Sequence, residues 1–134
     1  MAALTKDRST PSRDGQYLHF PVKAGVKIFA GALLAHTTGF AKPAITAVGL
    51  IALGRADGFV DNTQGGDGDV FVRIKRRDVF RFDNLATDLV PRSHIGLDCY
   101  IVDDATVAST DGAGTRSVAG KIVDVDDDGV WVSF

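Results

Sequence analysis

All 17 acidic residues of this 134-residue chain are aspartates. Glutamate is absent, methionine occurs once, and glutamine appears only at Gln16 and Gln64, so several strong helix formers are almost missing. Fifteen glycines accompany abundant Asp, Thr and Val, the residues of turns and strands. A chain built this way is constrained toward short strands joined by tight turns. Only its first fifteen residues, MAALTKDRSTPSRDG, fall outside that pattern, because they carry almost no large apolar side chains.

The rest reads as β-structure in pieces. Tyr17–Val22 alternates, with Leu18, Phe20 and Val22 on one face. Val26–Ala30 and Gly31–His36 are further apolar segments, and Phe40–Pro43 is placed to form a hairpin with the second. Ala47–Asp57 is long enough for a helix, but Gly49 and Gly54 interrupt it, which predicts a bent or bulged strand. Asp61–Asp69 is a polar, glycine-rich loop. Val70–Lys75 alternates strictly, placing Val70, Val72 and Ile74 toward a core, and Val79–Phe82 continues in that style. Pro91–Ile95 fits a single helical turn stopped by Gly96, and strands follow at Cys99–Asp103, Val118–Val125 and Val130–Phe134. Many short, closely spaced strands predict an all-β fold, a compact β-sandwich or small barrel. The expected organisation is an N-terminal arm, residues 1–15, on a single β domain, residues 16–134.

No pattern here points to catalysis. Net charge is −2, so the chain as a whole has no pull toward nucleic acid or anionic membrane. The longest apolar run, Ala44–Leu53, is too short to span a bilayer, and the N-terminus lacks a secretory h-region. The expectation is a soluble protein made in the cytoplasm. Cys99 is the single cysteine and reads as a buried, small apolar residue. His19, His36 and His94 lack ligand spacing, and Ser93, His94 and Asp98 lack the context of a nucleophile. No cofactor is implied.

Three features carry charge or anchoring chemistry. Asp124–Gly129 (DVDDDG) matches the first half of a calcium loop, but the required twelfth ligand would fall past Phe134. The simpler reading is an acidic hairpin turn with Gly129 at positive φ. Arg73, Lys75, Arg76, Arg77 and Arg81 face only Asp78 in residues 71–81. That stretch reads as a solvated or edge strand, as a protein contact, or as the phosphate-binding strand of a single-stranded nucleic-acid barrel interleaved with Phe71, Phe80 and Phe82. Trp131, on the terminal strand, reads as a core or interface anchor.

The chain resembles the capsid cement, or head decoration, proteins of tailed bacteriophages. The resemblance rests on Val22–Leu33 (VKAGVKIFAGAL), on Gly54-Arg55-Ala56 through Val70 to Val79–Phe82, on Ile95–Val107 (IGLDCYIVDDATV), and on Ala119–Val123 with Gly129–Val132. Asp78 stands where that family commonly has glycine. The match covers roughly Val22 to Phe134, mostly through glycines and apolar positions. It implies a β-tulip-like body with a flexible arm and no enzymatic activity. It also implies a place on the outer surface of the virion capsid, bound to the major capsid protein as a homotrimer, with a dimer as the alternative. Under that resemblance, Leu4, Thr5, Lys6, Arg8 and Arg13 of the arm and Arg73, Lys75, Arg76 and Arg77 of the basic strand are the candidate partner contacts. A single-stranded nucleic-acid-binding β-barrel module is the competing expectation.

Overall fold

A computed structural model describes residues 2–134. Twelve strands and one 3₁₀ turn make up its regular structure, with no α-helix among the described residues. The strands are β1 Tyr17–Pro21, β2 Lys27–Ile28, β3 Leu33–His36, β4 Lys42–Pro43, β5 Ile51–Ala56, β6 Val60–Asp61, β7 Phe71–Lys75, β8 Val79–Asn84, β9 Asp98–Ile101, β10 Thr106–Ala108, β11 Val118–Asp126 and β12 Gly129–Ser133. The 3₁₀ turn spans Arg92–His94, inside the segment predicted as one helical turn. The protein is all-β, as the composition requires.

The strands form two curled units. In the first, the order is β1-β7-β5-β3-β4. Its ends approach through a parallel bridge between Val22 and Ala41, where the Ala41 N–H donates to the Pro21 carbonyl at 2.8 Å and the Lys23 N–H to the Ala41 carbonyl at 3.0 Å. The second unit is a closed barrel, β10-β8-β12-β11-β9. Strands β2 and β6 form a small separate ribbon.

Each unit has a core, and β3 belongs to both. Leu34 packs with Val22, Ile28, Leu53, Val72 and Ile74, while Leu33 and Ala35 join Phe82, Ile101, Val107, Ile122, Val130 and Val132. This is why β3 reads LLA without alternation: both of its faces are covered. Truncating Leu33 or Leu34 to alanine removes a fully buried side chain and costs about 3 kcal/mol. Strand β7 shows the opposite pattern, with Val72 and Ile74 buried and Phe71 and Arg73 exposed, as its alternation predicts.

Two glycines show how the chain bends. In β11 the buried residues Ala119, Ile122 and Val125 are three apart, because the register shifts at Val118/Gly120 and again at Ile122/Asp124. A Cβ on Gly120 would come within 2.5 Å of the Ser133 carbonyl oxygen. Gly54 sits in the predicted bend of β5, where the pairing with β3 slips, and a Cβ there would approach the Lys75 oxygen at 2.7 Å.

The edge reading of the basic strand changes. Strand β7 is not an edge, since β1 and β5 flank it. The terminal strand β12 is not an edge either, because β8 and β11 pair with it on both sides. In the β7–β8 turn the left-handed residue is Arg77, at φ 55°, rather than Asp78. The Asp78 carboxylate instead accepts the Val79 N–H at 2.8 Å and pairs with Lys75 at 3.2 Å.

Candidate binding surfaces

The arm enters the body at β1, which lies at one edge of the five-stranded sheet. Residues 2–14 are exposed and form no strand or helix. Lys6, Arg8 and Arg13 make no ion pair or side-chain hydrogen bond among the described residues, and Leu4 is 69% exposed. Where the arm becomes β1, the Arg76 N–H donates to the Gln16 carbonyl and the Val22 N–H to the Val70 carbonyl. The antiparallel alternation then directs the backbone groups of Leu18 and Phe20 toward β7 and those of Tyr17 and His19 outward. Pro21 ends this edge by lacking a donor.

The basic strand divides into paired and unpaired cations. Arg73 lies over the Tyr17 ring at 3.8 Å and reaches Asp57 at 3.7 Å. Arg55 shares Asp57 at 3.1 Å and lies 4.7 Å from the Phe80 ring. Lys75 pairs with Asp78, and Arg81 approaches Asp128 at 3.8 Å. Asp57 comes from the β5–β6 connection, so sequence distance hid it as a partner. The guanidinium groups of Arg76 and Arg77 have no partner among the described residues. The five cations therefore do not form one stripe: pairs neutralise most of the outer face, leaving Arg76 and Arg77 at the turn.

The acidic segment forms a hairpin turn. Asp126 is opposite Gly129, which leaves Asp127 and Asp128 as a two-residue loop. Gly129 has φ 152°, and a Cβ there would collide with the Phe82 carbonyl oxygen. The carboxylates diverge instead of converging on a cation. Asp126 accepts the Trp131 indole N–H at 2.7 Å and the backbone N–H groups of Asp128 and Gly129 at 2.8 and 3.1 Å. These bonds, led by the Trp131 indole, hold its carboxyl below the ordinary aspartate range. Asp128 turns toward Arg81, and Asp124 lies 3.9 Å from Arg92. No group of three candidate ligands is gathered for a metal ion among the described residues.

Trp131 differs from its reading as a core anchor. It is half-buried on the outside of the barrel, absent from both cores, with Arg81 5.8 Å from its ring. In the register it lies between Asp124 and Arg81, so its neighbours are charged. Val130 and Val132, on either side, take the core positions.

Cys99 is buried, and loss of solvation pushes its thiol up to about 12. Ser109 Oγ lies 3.1 Å from His94 Nδ1, a contact that sequence did not signal. Asp98, the acid near His94 in sequence, pairs with Lys121 at 3.0 Å, and no carboxylate hydrogen-bonds to His94 among the described residues. The pair lacks the orienting acid of a serine nucleophile.

Two buried polar side chains escaped the sequence reading. Asn62 donates to the carbonyls of Val22, Lys23 and Gly66 at 3.0–3.3 Å and organises the glycine-rich loop. Ser117 donates to the Ala47 carbonyl at 2.7 Å and accepts the Leu50 N–H at 2.9 Å, tying the approach to β5 onto the barrel. No known protein family, curated protein or solved structure matches this chain.

Proposed function

We propose that this chain is a non-enzymatic structural protein of a tailed-phage head, bound to the outside of the icosahedral shell and stabilising contacts between neighbouring major capsid subunits. The observation that carries the reading is the arm. Residues 2–14 are exposed, their cations are uncommitted, and they lead into the free edge of β1 at Tyr17 and His19. Such a segment can order against a partner, and backbone pairing at a free edge is a general mode of recognition.

The rest of the molecule suits that role. Two curled sheets protect nearly all strand edges, giving a rigid body that presents the arm. A homotrimer, or alternatively a dimer, would touch several shell subunits at once and gain affinity by effective concentration. Binding to the assembled lattice alone stabilises that lattice by mass action. The resemblance through Val22–Leu33 and Ile95–Val107 points the same way.

The nucleic-acid reading has less support. Arg73 and Lys75 face Asp57 and Asp78 on their own surface, which removes the unpaired cationic stripe such a barrel needs. Co-sedimentation with intact expanded heads, cement-free and assembled from the cognate major capsid protein, tests the proposal. The full chain is expected to pellet with heads and a chain lacking residues 2–14 to bind about tenfold more weakly or worse, about 1.4 kcal/mol. Failure of the full chain to bind, alongside tight salt-sensitive binding to single-stranded oligonucleotide, would favour the nucleic-acid reading.

A further inference from the structure

Twice on its surface this chain seats an arginine between an aromatic ring and an aspartate. Arg73 lies 3.8 Å from the centre of the Tyr17 ring and 3.7 Å from the Asp57 carboxylate. Arg55 lies 4.7 Å from the Phe80 ring and 3.1 Å from the same carboxylate. A guanidinium suits both neighbours, because its flat face stacks on the ring and its N–H groups fork onto the carboxylate. A third place has the rings and the aspartate but no arginine.

That place lies where the two curled units meet. Ile28 of β2 pairs with Val60 of β6, and the residues beside them, Phe29 and Phe59, bring their ring centres to 5.5 Å. Both are exposed, at 60% and 57%. The Ala32 N–H donates to the Phe29 carbonyl at 3.2 Å, and Gly31, at φ 90°, turns the chain toward β3. The Leu33 N–H then donates to the Asp104 carbonyl at 2.8 Å, which holds the β9–β10 turn beside the aromatic pair. A crevice of about 280 Å³ is lined by Phe29–Ala32, Asp104 and Ala105.

Asp104 separates this crevice from a plain apolar patch. Among the described residues four aspartates are half-buried: Asp78, Asp88, Asp98 and Asp104. The first three each pair with a cation, Lys75 at 3.2 Å, Arg116 at 2.8 Å and Lys121 at 3.0 Å. Asp104 has no ion pair, and its side chain accepts no hydrogen bond from another described residue. Burial, and then the charge of Asp103, push its carboxyl up, and only its own backbone N–H opposes them. A half-buried carboxylate without a counter-charge is costly, and a cation brought by a partner lowers that cost.

We infer that Phe29, Phe59 and Asp104 form a socket for an arginine side chain of a partner protein. The guanidinium stacks on Phe29 and forks onto Asp104, as Arg73 stacks on Tyr17 and reaches Asp57. Phe59 braces the Phe29 ring and widens the apolar surface. The socket is separate from the arm, and its test needs no shell.

The test is two-dimensional amide NMR on the full, isotope-labelled chain, titrated with N-acetyl-arginine methylamide. The probe replaces sodium chloride at a constant ionic strength of about 0.1 M, where screening acts beyond roughly 10 Å and spares a contact pair. Saturable shifts centred on the amides of Phe29, Gly31, Asp104 and Ala105 are expected. The citrulline counterpart has nearly the same shape without the charge and is expected to bind at least about tenfold more weakly. The arginine probe is expected to lose as much on Asp104→Asn, which keeps the backbone carbonyl that Leu33 uses, and on Phe29→Leu, which keeps apolar bulk without the ring. No saturable shift at these amides in the wild-type chain overturns the inference. So does equal binding of the citrulline probe, which marks a neutral, apolar site, or arginine binding unchanged in folded variants. If a variant does not fold, the arginine–citrulline comparison on the wild-type chain still decides.

Discussion

Asn62 shows how one side chain can fix a loop whose composition suggests freedom. Its side-chain amide serves the carbonyls of Val22, Lys23 and Gly66, and its main-chain carbonyl accepts the Gly25 N–H at 3.0 Å. Replacing it with alanine leaves buried acceptors without a donor, and Asn62→Ala is expected to destabilise the body by about 2–3 kcal/mol in urea unfolding. A change under 0.5 kcal/mol would mean that water replaces the amide. Asp88 carries a second residue-scale prediction. Its carboxyl is held below the ordinary range chiefly by the Thr110 hydroxyl, with the Thr110 N–H and Arg116 adding and burial opposing. Asp61, Asp78 and Asp126 are lowered as well, whereas burial raises Asp104. A lowered folded-state value means the stabilisation is fully present above the unfolded value of about 3.9 and is lost as pH falls through the folded value. Asp104 acts in the opposite sense. The melting temperature is therefore expected to fall steeply below about pH 4, and Asp88→Asn to lower it at pH 7 while flattening that fall. Cys99 was legible because an apolar strand surrounds it. Asn62 and Ser117 were not, since their partners lie 39–70 residues away, apart from Gly66 in the same loop.

Among elements, alternation made β7 and β8 readable, and glycine interruptions foretold the bulged β5. The same rule fails where both faces are covered, as in β3, or where bulges reset the phase, as in β11. Strand β10 and the β2–β6 pairing were missed because two or three residues carry too little pattern. The edge alternative for the basic strand fails because position in sequence does not fix position in a sheet, and the terminal strand β12 likewise lies inside the barrel wall. Trp131 illustrates the consequence. A Trp in a core costs about 3–5 kcal/mol when truncated. On the barrel's outer face, with one indole bond to an exposed aspartate, Trp131→Ala is expected to cost about 1–2 kcal/mol in denaturant unfolding. A loss above 4 kcal/mol would restore the core-anchor role. The arm belongs to this scale too. Deleting residues 2–14 is expected to shift the body's melting temperature by less than about 2 °C, because those side chains make no ion pair with the body. A larger drop would show that the arm contributes to folding.

At the scale of the whole molecule, an all-β body was foreshadowed by the missing glutamates and the many glycines. The sharing of β3 between two cores was not, because it depends on which strands meet in space. The candidate surfaces were only partly legible. Charge runs located the basic and acidic segments, but Asp57, Arg81 and Arg92 redistribute their charge through long-range pairs. The cations of the arm stay unpaired and are what a partner can use. A shell-stabilising protein must bind the assembled lattice better than free subunits, and its effect then grows with concentration as RT ln(1 + [L]/Kd). The most direct measurement is the melting temperature of intact expanded heads across a titration of the full chain. The expected result is a rise that continues with concentration, approaching about 2.7 kcal/mol of stabilisation per site at a hundredfold excess over Kd, and that disappears with the chain lacking residues 2–14. Heads that melt at the same temperature at every concentration of the full chain would contradict the cement role.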